Sequence, residues 1–242
     1  MSTKLNKTID KQINAADLAI TNALSIEAIK NILAIKGYTE QELTTGKTLV
    51  ELARSAVATH ADADGEQVEA TKAEKAAKKI AVKAYQDLVK TARAEFPNDE
   101  SKLIMLGVTG PMPEATDAFI KSAKTLFENA IANNDIKEKI SIRGYDDQML
   151  HDEQNKIAVY AQANSTQNAL IGIAVQATKD QEYALTAMNA WYAQFKGHAK
   201  LVLTKAQQRA LRLVPRTRRT KAQIQAPKKA SATKAANKAK PQ

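Results

Sequence analysis

Apolar residues recur at helical spacing along most of the chain. Phe119, Ala123, Leu126, Phe127 and Ala130 line up on one face of a helix, which predicts a helical segment over 116–131 and, at matching positions, another over 8–24. A shorter periodic stretch follows each, from Ile26 to Ile35 and from Asn134 to Ile142, and stops at Gly37 or Gly144. Glycine closes a helix in the left-handed conformation at least steric cost, so both glycines are expected C-caps. Thr39-Glu40-Gln41-Glu42 then has the capping-box pattern, in which the Thr oxygen and the Glu carboxylate satisfy orphan amides. Asp146 supplies the equivalent cap, with Met149 where the reciprocal carboxylate would stand.

Two very long helices are expected next. No proline interrupts 39–95 or 146–203, a span on the order of 85 Å each at about 1.5 Å per residue. In the second, Leu150, Ile157, Ala161, Asn164, Ile171, Val175, Thr178, Leu185, Met188, Tyr192, Phe195, Ala199 and Val202 follow coiled-coil-like steps. The first repeats the seam more thinly with Leu43, Val50, Ala53, Val57, Asp64, Val68, Thr71, Ala81, Tyr85, Leu88 and Ala92. A helix with such a stripe needs a partner, and each long helix is the natural partner of the other. Gly65 and Gly172 stand at the same place in both and predict a close helix approach or a kink. The polar run Thr59–Gln67 predicts a break in the first long helix.

These segments are two copies of one unit. Ile35-Lys36-Gly37-Tyr38 matches Ile142-Arg143-Gly144-Tyr145 at an offset of 107. The same offset, without a gap, aligns Leu43 with Leu150, Gly65 with Gly172, Tyr85 with Tyr192, Asn22-Ala23 with Asn129-Ala130, and Leu106 with Leu213. Leu106-Gly107-Val108-Thr109-Gly110-Pro111-Met112-Pro113 cannot continue a helix and reads as the linker. The expected organisation is a first repeat over 1–108, a linker over 109–114, a second repeat over 115–215 and a disordered basic tail over 216–242. The two repeats are expected to pack as one domain. The fold class is therefore all-α, an elongated antiparallel helical bundle with a pseudo-two-fold internal repeat.

Composition agrees with this picture. Straight-chain helix formers dominate, with eight Gly, six Pro and only 5% aromatic residues. The absence of cysteine excludes disulfides, thiolate chemistry and Cys-ligated zinc. The first twenty residues lack an apolar core for a secretory signal, and no window is apolar enough to span a membrane, so a cytoplasmic setting is expected. The Asn6 and Asn164 sequons are then accidental.

Candidate chemistry in the body is thin. Thr45-Gly46-Lys47-Thr48 resembles the end of a phosphate loop, but Gln41 stands where the first glycine is needed and the segment lies inside a helix. His60, Asp62 and Asp64 cluster, as do His151, Asp152 and Glu153, yet adjacent helical residues do not converge on one ion, and no Glu-x-x-His pair exists. No metal and no cofactor is expected. His198 has no Ser, Asp or Glu near it in sequence and reads as a surface or packing residue. Trp191, Tyr192 and Phe195 read as core, and Tyr38 and Tyr145 as anchors of the helix turn.

Charge points elsewhere. The net charge is +10, but no acidic residue follows Glu182, and that stretch holds 14 of the 36 Lys and Arg, leaving −4 on the first 182 residues. Nine cations lie in the tail: Arg216, Arg218, Arg219, Lys221, Lys228, Lys229, Lys234, Lys238 and Lys240. On a flexible chain they would neutralise phosphates with release of counterions, so they are the candidate nucleic-acid-binding residues. From Pro215 to Gln242 the composition resembles the Lys-Ala-Pro tails of linker histones and bacterial histone-like proteins. The body from Thr8 to Arg216, with its Gly-Tyr-x-x-x-x-Leu pattern and Leu-Gly-Val-x-Gly-x-x-Pro linker, resembles a group of uncharacterised all-helical bacterial proteins. That resemblance implies the fold and a bacterial cytoplasmic setting, and brings no activity or catalytic residue with it; the basic tail is not part of its pattern. Two functions are expected: a non-enzymatic helical scaffold whose tail contacts nucleic acid, or a structural bundle whose body binds other proteins or further copies of itself.

Overall fold

The computed structural model describes residues 2–214, with side chains from Thr8 onward. Eight helices make up these residues: α1 (Ser2–Ser25), α2 (Glu27–Ala34), α3 (Glu40–Glu95), α4 (Glu100–Met105), α5 (Thr116–Ala132), α6 (Asn134–Ser141), α7 (Asp147–Val202) and α8 (Lys205–Ala210). No strand occurs among the described residues. None of their helices is long and apolar enough to cross a membrane.

The two Gly-Tyr turns are built alike. Gly37 has φ +85° and Gly144 φ +89°. The following amide reaches back to close the helix, Tyr38 N–H to Leu33 O and Tyr145 N–H to Ile140 O, both at 3.2 Å. Lys30 pairs with Glu40 at 3.1 Å and Lys137 with Asp147 at 3.2 Å across the same turns. The α3 cap differs from the expected box. Glu42 N–H does donate to Thr39 Oγ1 at 3.3 Å, but the Glu42 carboxylate accepts from Trp191 Nε1 at 2.6 Å. At α7, Met149 N–H donates to Asp146 Oδ1 at 2.7 Å as expected.

Each copy holds a fourth helix that apolar periodicity does not reveal, because α4 and α8 are six residues long. They are capped by Asp99 and Thr204, which accept from the amides of Lys102 and Gln207. These helices obey an offset of 105, since the connection after α7 lacks a counterpart of Pro97-Asn98. Leu106 therefore corresponds to Leu211, both buried, and Val108 to Leu213, which corrects the ungapped pairing of Leu106 with Leu213. Hydrogen bonding shows the same register: Asn22 Nδ2 donates to Ala210 O at 2.7 Å, and Asn129 Nδ2 to Met105 O at 2.5 Å.

Compact units cut across the repeats. Among the described residues, one unit joins 2–55 to 182–214; the other is Ala56–Gln181. In the first, Ala19, Ala23, Ile29, Leu33 and Leu43 pack with Phe195, Ala199, Leu203 and Leu211. In the second, Tyr85, Leu88, Ala92 and Leu106 pack with Phe119, Leu126, Ile136, Leu150, Ile157 and Tyr160. Each core thus combines the opening half of one copy with the closing half of the other, and each fully buried Leu, Ile or Phe contributes about 1.5–3 kcal/mol of transfer free energy. Within the first unit Tyr38 meets His198 while Glu42 meets Trp191, so the long helices are antiparallel there. The second unit shows the same sense, Glu95 pairing with Arg143 while Ala84 and Glu153 line one hollow.

Three expectations about the long helices are corrected. Helix α3 is continuous through Gly65, so the polar run does not break it. A Cβ at Gly65 or Gly172 would meet nothing within 4 Å, so neither glycine serves a close helix approach. The seam is also misphased in the middle: Asp64, Val68, Ile171, Val175 and Thr178 are exposed, while Ala63, Ala177 and Gln181 are buried. The seam holds at both ends of α7, where Leu150, Ile157, Met188, Phe195 and Ala199 are buried, and fails only between them. The linker is held by Arg93, whose guanidinium donates to Val108 O and Gly110 O at 2.7 Å.

Candidate functional site

The nine tail cations, Arg216, Arg218, Arg219, Lys221, Lys228, Lys229, Lys234, Lys238 and Lys240, lie outside the described residues. In the body, the phosphate-loop look-alike and the His151–Glu153 run are engaged in holding helices, while Asp62 and Asp64 are exposed on α3. Lys47 Nζ donates to the Asp17 carboxylate and, at 3.3 Å, to Thr21 Oγ1. Thr45 and Thr48 hydroxyls donate to the carbonyls of Gln41 and Thr44 within α3. His151 Nδ1 is 2.7 Å from Asp147 O, Asp152 accepts from Gln148, and Glu153 accepts from Lys156 at 2.6 Å. No three His, Cys, Asp or Glu among the described residues are placed to hold a metal ion.

Gly46 has a packing role. A Cβ there would overlap the face of the Trp191 ring, 2.5 Å from Cζ2 and Cζ3. The indole needs that space because it lies flat against α3, stacked on Phe195 at 5.3 Å and 10°, edge-on to Tyr38 at 5.8 Å, with its N–H on Glu42. Tyr38 also meets Phe195 edge-on at 5.3 Å and sets its hydroxyl 3.2 Å from His198 Nδ1. His198 is thus a packing partner of a tyrosine 160 residues away, which no local sequence context discloses.

The second unit repeats this arrangement with one exchange. Tyr145 corresponds to Tyr38, and its hydroxyl has Thr91, the counterpart of His198, as hydrogen-bonding neighbour. Ala84, however, replaces Trp191, and Glu153 replaces Gly46. Where the indole would lie is a hollow of about 400 Å³ lined by Ala84, Tyr145, Met149 and Glu153 among others. The converse holds at a second corner. In the second unit Phe119 packs edge-on against Tyr85 at 5.4 Å and near Tyr160 at 6.0 Å, and the Tyr85 hydroxyl is 3.2 Å from Ser122 Oγ. The first unit has Tyr192, Gln12, Ala53 and Ala15 at those positions. A hollow of about 380 Å³ lies there, against Tyr192. Each unit carries its ring cluster where the other carries a hollow.

Electrostatics at these corners follow burial. Burial pushes the Tyr192 hydroxyl above the ordinary tyrosine value. Tyr38 is raised by burial and then by the Glu42 carboxylate. Tyr145 is raised by burial and by Asp87, against a smaller opposing effect of Thr91. For Asp17, burial acts to raise the pKa, but hydrogen bonds and charge from Lys47 and Arg54 outweigh it and hold the carboxyl below its usual 3.8.

Sequence reading finds Tyr38, Tyr145 and the aromatic run near Trp191, but not the hollows, because a missing ring is visible only against an aligned and folded counterpart. The Asn22 and Asn129 bonds left one trace, an asparagine kept at the same point of an apolar helix in both copies. No protein-family model, curated protein or solved structure is found to match this chain.

Proposed function

We propose that this chain is a non-enzymatic bacterial cytoplasmic scaffold whose basic C-terminal segment contacts nucleic acid without sequence preference. The observation that carries this reading is charge segregation: the first 182 residues are net negative, while all acidic residues are absent beyond Glu182. Nine Lys and Arg beyond Pro215 match the repeat distance of phosphates only statistically, so affinity comes from counterion release, with a salt slope down to about −8 if all engage duplex DNA. A mobility-shift titration over salt tests this with the full chain, a chain ending at Pro215, and a full-length chain with the nine cations changed to Gln. The expected result is a steep salt dependence present only in the first. A shift that survives truncation, or no shift at low salt, overturns the reading.

A second reading, a protein-interaction or self-assembling bundle, is favoured by one observation. Ile35 and Ile142 occupy equivalent positions before the two Gly-Tyr turns and are 80% and 77% exposed. An exposed isoleucine kept in both copies has no packing role among the described residues. Light scattering of the full chain and of an Ile35→Ser, Ile142→Ser variant tests it; assembly that the variant abolishes supports this reading, and a strict monomer opposes it.

A further inference from the structure

The internal repeat makes one unit the reference for the other, and five differences coincide at the Tyr192 corner. Relative to the second unit, the Phe119 ring becomes Gln12, the Tyr160 ring becomes Ala53, and the Ser122 hydroxyl becomes Ala15. Two further positions gain positive charge: Ala118 becomes Lys11, and the buried Val89 becomes Lys196. Tyr192 alone is kept, as the counterpart of Tyr85. Two rings are lost and two cations gained around one retained tyrosine, which stacks on Phe195 at 6.4 Å where the second unit has Leu88. Drift that only loosens a core would not add two lysines to the same hollow.

The chemistry of the hollow is definite in sign. Its described lining includes Lys11, Gln12, Ala15, Asn189, Tyr192 and Lys196, and no acidic residue. Neither lysine is in an ion pair among the described residues. Lys196 Nζ lies over the Tyr192 ring, 5.4 Å from its centroid, so positive charge stands against the aromatic floor. In the second unit a phenylalanine ring meets the equivalent tyrosine edge-on at 5.4 Å, which gives the geometry open to a ligand ring. A volume of about 380 Å³ admits one or two fused rings, at the small end of ligand pockets, about 300–1,000 Å³.

We propose that the hollow at Tyr192 is a binding site for a small aromatic carboxylate, its ring taking the place that Phe119 holds in the other unit and its carboxylate pairing with Lys11 and Lys196. Gln12 and Asn189 supply amide donors at the rim, and the Tyr192 hydroxyl, which lacks the serine partner of Tyr85, is a further donor.

Isothermal titration of the full chain with 2-naphthoate tests this, with neutral 2-naphthamide and ring-less acetate as comparisons. Naphthoate is expected to bind at least about tenfold more tightly than either, a difference that both charge and ring must supply. Gln12→Phe, which restores the ring present in the second unit, is expected to abolish binding. Lys11→Gln with Lys196→Gln is expected to reduce naphthoate affinity to that of the amide, and carries the test if Gln12→Phe fails to fold by circular dichroism. Changing the nine tail cations to Gln should leave naphthoate binding unchanged, which separates this site from the nucleic-acid reading. Equal affinity for naphthoate and naphthamide, binding that persists unchanged in a folded Gln12→Phe, or binding lost with the tail cations would overturn the proposal.

Discussion

Single side chains explain features that looked functional in sequence. Gly46 belongs to a phosphate-loop look-alike, yet it is the floor beneath Trp191. Gly46→Ala should therefore cost about 1–3 kcal/mol through overpacking, with a red-shifted emission from the only tryptophan, measured by denaturant unfolding and fluorescence. Left-handed stops offer a second case. Gly107 ends α4 at φ +70°, while its counterpart after α8 is Arg212 at φ +58°. A non-glycine residue there carries strain of about 1 kcal/mol, so Arg212→Gly should stabilise by about 0.5–1 kcal/mol and Gly107→Arg should do the reverse. Asp17 gives a pH prediction. Its folded pKa is depressed by Lys47 and Arg54, so its contribution is present above the unfolded value and disappears as pH falls through the folded one. Asp17→Asn should be less stable than the parent at pH 7, and the gap should close below about pH 4 in thermal melts.

Helices of this length bring their own constraints. Most of the central part of α7 between 163 and 181 is exposed or half-buried, and its buried positions are Ala177 and Gln181. Periodicity found the helix but lost the phase, because exposed Ile171 and Val175 outweigh alanine and glutamine in any apolar count. Gly172 lies in this stretch and Gly65 at the matching place in α3, and a Cβ at either would meet nothing within 4 Å. Gly65→Ala and Gly172→Ala should each stabilise by about 0.5–1 kcal/mol through reduced backbone freedom in the unfolded chain, additively in calorimetry. A loss of stability at either would show that these glycines are needed for an approach the packing does not display.

For the molecule, the consequential fact is that neither repeat builds a unit alone. Each core takes α1–α2 or α5–α6 from one copy and the end of the long helix from the other. A chain of residues 1–108 therefore keeps the α1–α2 packing but lacks the surfaces that complete both of its cores. Such a fragment is expected to sediment as a homodimer in which a second copy supplies the missing halves; a folded monomer in analytical ultracentrifugation would contradict the observed division. On the proposed reading the basic segment acts at this scale as well, its nine cations attached to a body of net charge +1, so the predicted salt dependence belongs to the whole segment rather than to any residue.

The sequence by itself determined six of the eight described helices, the Asp146 cap, the Gly-Tyr turns and the duplication, because these depend on local spacing and on residues such as Gly37 and Gly144 whose backbone preference is intrinsic. It also disclosed the charge segregation, a matter of composition. Only the tertiary structure decided that the cores are shared between copies, that α4 and α8 follow a shorter offset, and that Glu42 serves Trp191 rather than Thr39. The reason is common to all three. Each depends on residues beyond local spacing, from 24 positions apart for Asn129 and Met105 to 188 for Asn22 and Ala210, and hydrophobic burial is non-directional, so a stripe announces that it needs a partner without saying which. The paired hollows are the extreme case, being defined by rings that one copy has and the other lacks.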